Sequence, residues 1–267
     1  MAWWDYILAT GCLTRFMDAT LIPKRGNMTR LARFTAVLFV LSVPLFLISN
    51  SVIWALNSPG VYNGGFEKYG VSRTTGIEQE NLRQVGADLR RFFNTRGTLS
   101  VQAEVRGVER DIFNPREILH MRDVKRLVWL VYGVATLSGV FLLLFTGAGV
   151  MSRPRFPREV TKLCIWGGGL TIGLVAAIGL FALVGFDALF LKFHQLSFSN
   201  DLWQLNERDY LLLLFPQDFW LDATIWVATR AVAGAALLMA VFGGYLAYQR
   251  WTDWRAARDP VGTAELG

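Results

Sequence analysis

Residues 127–151 read LVWLVYGVATLSGVFLLLFTGAGVM and contain no Lys, Arg, Asp or Glu. A helix of this length, at about 1.5 Å per residue, exceeds the roughly 30 Å thickness of the hydrocarbon layer of a bilayer. The stretch therefore predicts a transmembrane helix.

Three further windows, 34–56, 163–186 and 224–248, have the same character and are nearly free of charge. The chain has 267 residues, of which 53% are hydrophobic and 18% charged, so its composition is shifted toward that of membrane proteins. This clustering of apolar residues excludes a soluble enzyme and a disordered protein. We expect a mainly α membrane protein with four transmembrane helices and no cleaved targeting segment.

Charge predicts the topology. The segments 1–33, 152–162 and 249–267 together carry twelve Lys and Arg against six Asp and Glu, whereas 57–126 and 187–223 carry fourteen against fifteen. By the positive-inside rule, both termini are cytoplasmic and the two near-neutral segments are extracytoplasmic. The excess of basic over acidic residues then reflects anchoring of the chain at the cytoplasmic membrane surface and attraction to anionic lipid. A nucleic acid is not expected as a partner.

The first outer segment, 57–126, is long enough to form a small mixed α/β extracytoplasmic domain between the first and second spans. Apolar residues recur every three or four positions over 78–93, which predicts an amphipathic helix. Alternation over 99–106 and a turn at Gly107 predict a strand or hairpin. Asn114 and Pro115 then open a helix that continues into the second span.

The second outer segment, 187–223, is too apolar for a solvated loop and too polar for a span. We interpret it as a segment that re-enters or skims the outer leaflet. Within the third span, Gly167, Gly168 and Gly169 indicate close helix packing.

The chain has two histidines, His120 just before the second span and His194 just after the third. Both therefore fall at the outer membrane surface, where they would either serve as base and acid for lipid-linked chemistry or anchor helix ends. A metal site is less favoured, because the nearby acids lack a characteristic ligand spacing (Glu117, Asp123, Asp187 and Asp201). The two cysteines, Cys12 and Cys164, imply no disulfide framework, and no cofactor is expected.

Arg230 lies one or two turns inside the fourth span, where a charge usually has a partner or a function. Its guanidinium would contact a phosphate, an ester carbonyl or an acid such as Asp187 or Asp222, or it would snorkel to the interface.

Three blocks carry a resemblance to a known family. They are residues 62–76, the run EILHMRDVK at 117–125, and Phe193-His194 continuing through Asn200, Asp201, Trp203, Pro216 and Phe219. In these blocks the chain resembles the four-span bacterial integral membrane proteins that include the lipoprotein intramolecular transacylase, over about residues 35 to 248. It departs from them in the N-terminal segment before the first span, and in Ser197, where an aromatic residue is expected.

The resemblance implies transfer of an acyl chain from the sn-2 ester of a lipoprotein's diacylglyceryl-cysteine to the α-amine of that cysteine. It implies that His120 and His194 are catalytic. Among the residues near them, Glu117, Asp123 or Asp201 would orient either ring, and Asn200, Trp203 and Arg230 are further candidates to support the site. The substrate would be a diacylated lipoprotein or a phospholipid-like molecule, handled at the extracytoplasmic face of the bacterial cytoplasmic membrane.

Two other interpretations remain open at this point. One is a non-catalytic membrane protein that binds lipid or lipoprotein, or a subunit of a membrane complex. The other is a lipid-modifying enzyme of the same fold with a different acyl donor or acceptor, because one fold carries several functions.

Overall fold

The computed structural model describes residues 30–152 and 156–258. The basic residues Arg15, Lys24, Arg25, Arg153 and Arg155, which contribute to the charge argument, lie outside the described residues, as do Cys12 and the end of the tail. The described elements, in chain order, are α1 (Arg30–Asn57), α2 (Pro59–Lys68), α3 (Val71–Thr75), α4 (Gln79–Asn94), β1 (Gln102–Val105), β2 (Val108–Asp111), α5 (Pro115–Ser152), α6 (Phe156–Ser197), α7 (Tyr210–Leu214) and α8 (Gln217–Arg258).

Four of these helices, α1, α5, α6 and α8, are long and apolar enough to cross a membrane. The mainly α fold class with four candidate spans and a small two-stranded sheet is thus confirmed, whereas the side of the membrane on which the sheet lies stays a prediction. The helices extend beyond the apolar windows: α5 begins at Pro115, α6 ends at Ser197 and α8 begins at Gln217. The difference arises because caps and backbone hydrogen bonds set helix ends, and polar side chains do not end a helix.

The second outer segment accordingly contains more regular structure than its mixed composition indicates. Residues 187–197 continue α6, the short helix α7 follows a connecting loop, and α8 begins directly after Pro216. Helical geometry is interrupted within α6 at Gly185, whose backbone is extended (φ −172°, ψ 79°). This kink separates the end of the apolar window from the part of α6 that carries His194.

The described part of the chain divides into two compact units, and the first comprises residues 30–47, 136–152, 156–173 and 232–258. Its described core contains Phe39, Val43, Phe145, Val160 and Cys164. A β-carbon at Gly167 would lie 2.6 Å from Val43, and one at Gly168 would lie 2.6 Å from Met239. The predicted close packing is confirmed for these two glycines, whereas a β-carbon at Gly169 would meet nothing within 4 Å.

The second unit comprises residues 48–135 and 174–231 and has a larger buried core. The amphipathic helix predicted over 78–93 is confirmed as α4, which buries its apolar stripe (Leu82, Val85, Leu89, Phe92 and Phe93). Burying such a stripe removes apolar surface from water and fixes the rotation of the helix about its axis.

The predicted hairpin is confirmed as the antiparallel pair β1 and β2, in which Val105 pairs with Val108. Arg106 and Gly107 form its two-residue turn, and both have positive φ, at 53° and 84°. This is the pattern of a type I′ turn, whose twist matches that of the two strands. Ala103 and Val105 on one face of β1 are buried in the core of the second unit.

Gly65 in α2 provides a test of this packing. A β-carbon there would lie 2.5 Å from the Phe219 ring, whereas one at the neighbouring Gly64 would meet nothing within 4 Å. We expect Gly65→Ala to lower the free energy of unfolding by about 1–3 kcal/mol, because the ring must shift. The matched Gly64→Ala should be neutral or stabilising by up to about 1 kcal/mol through helix propensity. Thermal unfolding of the detergent-solubilised protein measures both, and equal effects would contradict this account of the packing.

Candidate functional site

The site starts from the first turn of α5, where a reciprocal cap fixes the backbone. The Asn114 side-chain oxygen accepts a hydrogen bond from the Glu117 N–H (3.0 Å), and Glu117 Oε2 accepts one from the Asn114 N–H (2.7 Å). Glu117 Oε1 also accepts a bond from the N–H of Leu211 in α7 (2.6 Å). The side chain is 1% exposed, so this buried carboxylate joins the start of α5 to α7.

His120 lies on α5 three residues after Glu117, and His194 lies in the last turn of α6. The centres of the two imidazole rings are 6.2 Å apart, and the ring planes are inclined by 30°. The side chains are 6% and 9% exposed. Two groups that are 74 positions apart in the sequence are thus close enough to act on one small reacting group.

Aromatic rings surround His194 on several sides: Phe190 at 4.3 Å between ring centres, Trp203 at 5.3 Å, Phe193 at 5.4 Å and Phe198 at 5.7 Å. Its Nδ1 lies 2.8 Å from the Phe190 carbonyl oxygen. Because a carbonyl only accepts, Nδ1 carries the hydrogen, and in the neutral ring Nε2 holds the free lone pair.

His120 contacts Phe198 as well, with 5.1 Å between ring centres. Its Nδ1 is buried and has no hydrogen-bond partner within residues 30–152 and 156–258. A buried polar atom without a partner is costly, so such atoms often occur where a ligand or a water is bound.

A connecting loop, residues 198–209, is tied to α5 at three points. Asn200 donates to Asp123 (2.9 Å), Asn114 donates to Asp209 (2.9 Å), and Arg116 donates to the Asp201 carbonyl. The Asp123 carboxylate also pairs with Arg126 (2.8 Å). These bonds hold the loop that follows His194 against the helix that carries His120.

The two imidazoles lie on the wall of a cavity of about 330 Å³, called the histidine cavity below. No charged side chain lines it; its walls are formed by Val52, Ala55, Leu56, Val61, Tyr62, Leu89, Phe93, His120, Met121, Val124, Leu127, Phe190, Phe193, His194, Phe198, Leu211, Phe215, Phe219, Trp220, Ala223, Thr224 and Val227. Tyr62 and Thr224 already donate to the carbonyls of Leu56 and Trp220. Burial also raises the pKa of the Tyr62 hydroxyl above its usual range, which leaves the histidines as the groups suited to proton transfer.

The structure therefore brings only some of the predicted site residues together. His120, His194 and Trp203 come together, Asp123 and Asn200 form a bond that ties the loop to α5, and Asp201 contributes its backbone carbonyl to Arg116. Both oxygens of Glu117 accept from backbone N–H groups. In the described part of the chain, no cluster of three or more His, Cys, Asp or Glu side chains is arranged to hold a metal.

Arg230 has a different neighbour from the acids considered in the sequence. Its guanidinium lies 4.2 Å from the centre of the Trp54 ring, a cation–π contact. Asp222 instead binds Lys68 (2.5 Å) and Tyr69 (2.7 Å), and its carboxylate raises the pKa of Lys68. Asp187 accepts a bond from Gln217 (2.6 Å).

A sequence model of the family described as "Lipoprotein intramolecular transacylase Lit" matches residues 37–220. This chain belongs to the Lit family. An "Uncharacterized protein" of Aquifex aeolicus (strain VF5) is 30% identical over 122 residues. That match spans 43% of this chain and 50% of the relative, so the chain aligns with about half of the relative's length.

Solved structures of Lit show the same fold. The membrane-integral lipoprotein intramolecular transacylase Lit from Bacillus cereus superposes with a TM-score of 0.71 over 82% of this chain and 97% of that chain, at 16% identity. A variant of that protein with a histidine-to-arginine substitution gives 0.68 over 82% and 94%. With four apolar helices and this fold, this Lit family member is a multi-pass membrane protein.

The aromatic side chains that line the histidine cavity of this Lit family member are harder to predict from the sequence than its histidines. Phe190 and Phe198 stand four positions before and after His194, a helical spacing that places them beside it. Tyr62 and Phe215 come from distant parts of the chain and form a ring contact at 6.0 Å between centres. Local spacing could have indicated the first pair, whereas only the folded chain brings the second together.

The Glu117 carboxylate joins α5 to α7, and this contact is called the clamp below. Glu117→Gln tests it. An amide has one oxygen, so one of the two backbone N–H groups would face an NH₂ group and lose its acceptor. We expect the free energy of unfolding to fall by about 1–3 kcal/mol. The exposed Glu104→Gln in β1 serves as the control and should change stability by less than about 0.5 kcal/mol. Thermal melting in detergent makes the comparison, and equal melting temperatures would refute the clamp.

Proposed function

We propose that this Lit family member transfers an acyl chain within one lipoprotein, from the sn-2 ester of its diacylglyceryl-cysteine to the α-amine of the same cysteine. The observation that carries the proposal is the pair of imidazoles, 6.2 Å apart, on the wall of one cavity without charged side chains. Membership of the Lit family adds the class of substrate.

The histidine cavity is suited to an acyl chain. Its lining is aromatic and aliphatic, and its volume of about 330 Å³ lies within the range of small-molecule sites. An ester has an apolar tail and one reacting carbonyl, which matches an apolar cavity with two polar groups. Packing of the tail against these apolar walls holds the carbonyl near the rings.

His194 is suited to act as the general base. The Phe190 carbonyl holds its Nδ1–H, so the Nε2 lone pair is available for a proton. The α-amine of the substrate has an ordinary pKa of about 8 and must lose a proton before and during its attack on the ester. In the proposed reaction, Nε2 of His194 accepts that proton.

His120 is then the group that stabilises and protonates oxygen. As the amine nitrogen forms a bond to the carbonyl carbon, negative charge develops on the carbonyl oxygen, and a nearby N–H stabilises it. The bond from that carbon to the glyceryl sn-2 oxygen then breaks, and this oxygen takes the proton that Nε2 of His194 accepted, relayed through the His120 ring, so that both imidazoles return to their starting state. An amide and a free hydroxyl result, so the products balance the amine and the ester with no other reactant.

The intramolecular character of the reaction reduces what the protein must supply. Donor ester and acceptor amine belong to one substrate, so the site needs to position them and move a proton, and no enzyme nucleophile is required. The excess of basic residues in the segments that flank the other helix ends supports an extracytoplasmic location for the histidines.

Replacing either histidine tests the reaction. The protein is expressed in a host that makes diacylated lipoproteins, and mass spectrometry of their N-terminal peptides detects N-acylation and loss of the sn-2 chain. We expect the wild type to form the N-acyl lyso product, and His120→Gln and His194→Gln each to lower its yield by on the order of 100-fold or more.

Gln195→Ala is the control, because this exposed neighbour of His194 bonds only to Lys192 among the described side chains. It should retain activity. Unchanged N-termini with the wild type would contradict acyl transfer and favour a non-catalytic lipid-binding protein. Full activity in both histidine variants would contradict the histidine mechanism.

Filling the cavity tests the acyl site without touching the histidines. Ala55 lines the cavity and is 8% exposed, so Ala55→Leu places three additional carbon atoms there. We expect product formation to fall by about tenfold or more, because the ester is displaced from the rings. Ala256→Leu on the exposed end of α8 should leave the rate unchanged. Melting temperatures identify any loss of folding, and normal activity of a folded Ala55→Leu protein would refute this acyl site.

A further inference from the structure

A second concave site in the second unit is lined mainly by α5 and by the residues that follow α4. This basic groove has a volume of about 460 Å³ and is lined by Phe92, Thr95, Arg96, Gly97, Thr98, Leu99, Ile118, Leu119, Arg122, Lys125, Arg126 and Trp129. None of these residues lines the histidine cavity. The groove is therefore separate from the site of the proposed acyl transfer.

The basic groove carries a strong excess of positive charge. Four cationic side chains line it and no carboxylate does. Arg126 pairs with Asp123, but within the described residues Arg96 and Arg122 form no ion pair and no side-chain hydrogen bond. Cations gathered without a counter-ion repel each other, so an anion that binds among them is stabilised.

Lys125 is held in place at this groove. Its Nζ donates to the Gly97 carbonyl (2.8 Å) and lies 4.2 Å from the centre of the Phe92 ring. An ammonium group has three N–H donors, so further donors remain for a bound anion. Because its position is already fixed, Lys125 loses little side-chain entropy when an anion binds.

An apolar surface adjoins the cations. The indole of Trp129 is 47% exposed while its Nε1 donates to the Phe93 carbonyl (3.1 Å), and Leu119 and Leu130 are 37% and 61% exposed. Trp129 lies one helical turn beyond Lys125, at the start of the predicted span. An aromatic ring at the junction of basic and apolar surface is typical of the membrane interface.

We infer that the basic groove binds the phosphodiester headgroup of an anionic glycerophospholipid. The phosphate would lie among Arg96, Arg122 and Lys125, with the beginning of an acyl chain along Trp129 and Leu130. A free phosphate satisfies the cations but leaves the apolar surface uncovered, which favours the lipid. The inference does not depend on the proposed acyl transfer, because diacylglyceryl-cysteine contains no phosphate.

The test measures binding of a fluorescent phosphatidylglycerol to the full chain in uncharged detergent micelles, by anisotropy. Unlabelled phosphatidylglycerol, phosphatidylcholine and inorganic phosphate are the competitors. We expect saturable binding that phosphatidylglycerol displaces at least about tenfold better than phosphatidylcholine, and that phosphate at equal concentration does not displace.

The double variant Arg96→Gln/Arg122→Gln should weaken binding by about tenfold or more. Arg73→Gln/Arg83→Gln removes the same charge from exposed positions outside the groove and should bind like the wild type, which accounts for general attraction to basic residues. Arg96→Lys/Arg122→Lys keeps the charge and should retain most of the binding.

Equal displacement by phosphatidylcholine, or by phosphate, would overturn the inference for an anionic lipid. Equal weakening by the two Gln double variants would overturn the assignment to this groove. If melting shows that Arg96→Gln/Arg122→Gln is unfolded, Arg122→Gln alone replaces it, with at least threefold weaker binding expected and Arg83→Gln as its control.

Discussion

The carboxylate of Glu117 is buried with both oxygens occupied by backbone N–H groups, and the arrangement around the histidines depends on it. One oxygen closes the first turn of α5, and the other holds the start of α7 through Leu211. A buried carboxylate without such donors would be costly, so the start of α5 and the start of α7 stabilise each other through this side chain. His120, one turn further along α5, and Leu211 of α7 consequently line the same cavity.

The histidine cavity combines an apolar wall with very few free polar groups, and this combination has chemical consequences. Rings such as Phe198 and Trp203 pack against His194, which is 9% exposed, and this shielding from water would strengthen hydrogen bonds to the oxyanion of the proposed reaction. The Phe190 carbonyl fixes the orientation of the His194 ring before any substrate binds. For the proposed substrate, which carries both donor and acceptor, such preorganisation would make an enzyme nucleophile unnecessary.

Much of the local structure could be predicted because it depends on spacing along the chain. Apolar windows nearly free of charge predicted the four long helices, the apolar stripe from Leu82 to Phe93 predicted α4, and alternation before Gly107 predicted the hairpin. Asn114 and Pro115 predicted the start of α5, whereas hydropathy does not detect the continuation of α6 to Ser197. The partners of Arg230 and Glu117 could not be predicted, because Trp54 and Leu211 lie far away in sequence.

The sequence by itself determined the membrane class and the main secondary-structure elements, since composition and periodicity are local properties. It also determined the two candidate proton-transfer groups, because His120 and His194 are the chain's two histidines. Their separation, the uncharged cavity and the basic groove were decided by the tertiary structure alone. Each of these depends on contacts between segments far apart in the chain, such as Asn200 with Asp123 and Lys125 with Gly97. The free energy of those contacts arises only when burial brings the segments together, so it cannot be predicted from a local pattern of residues.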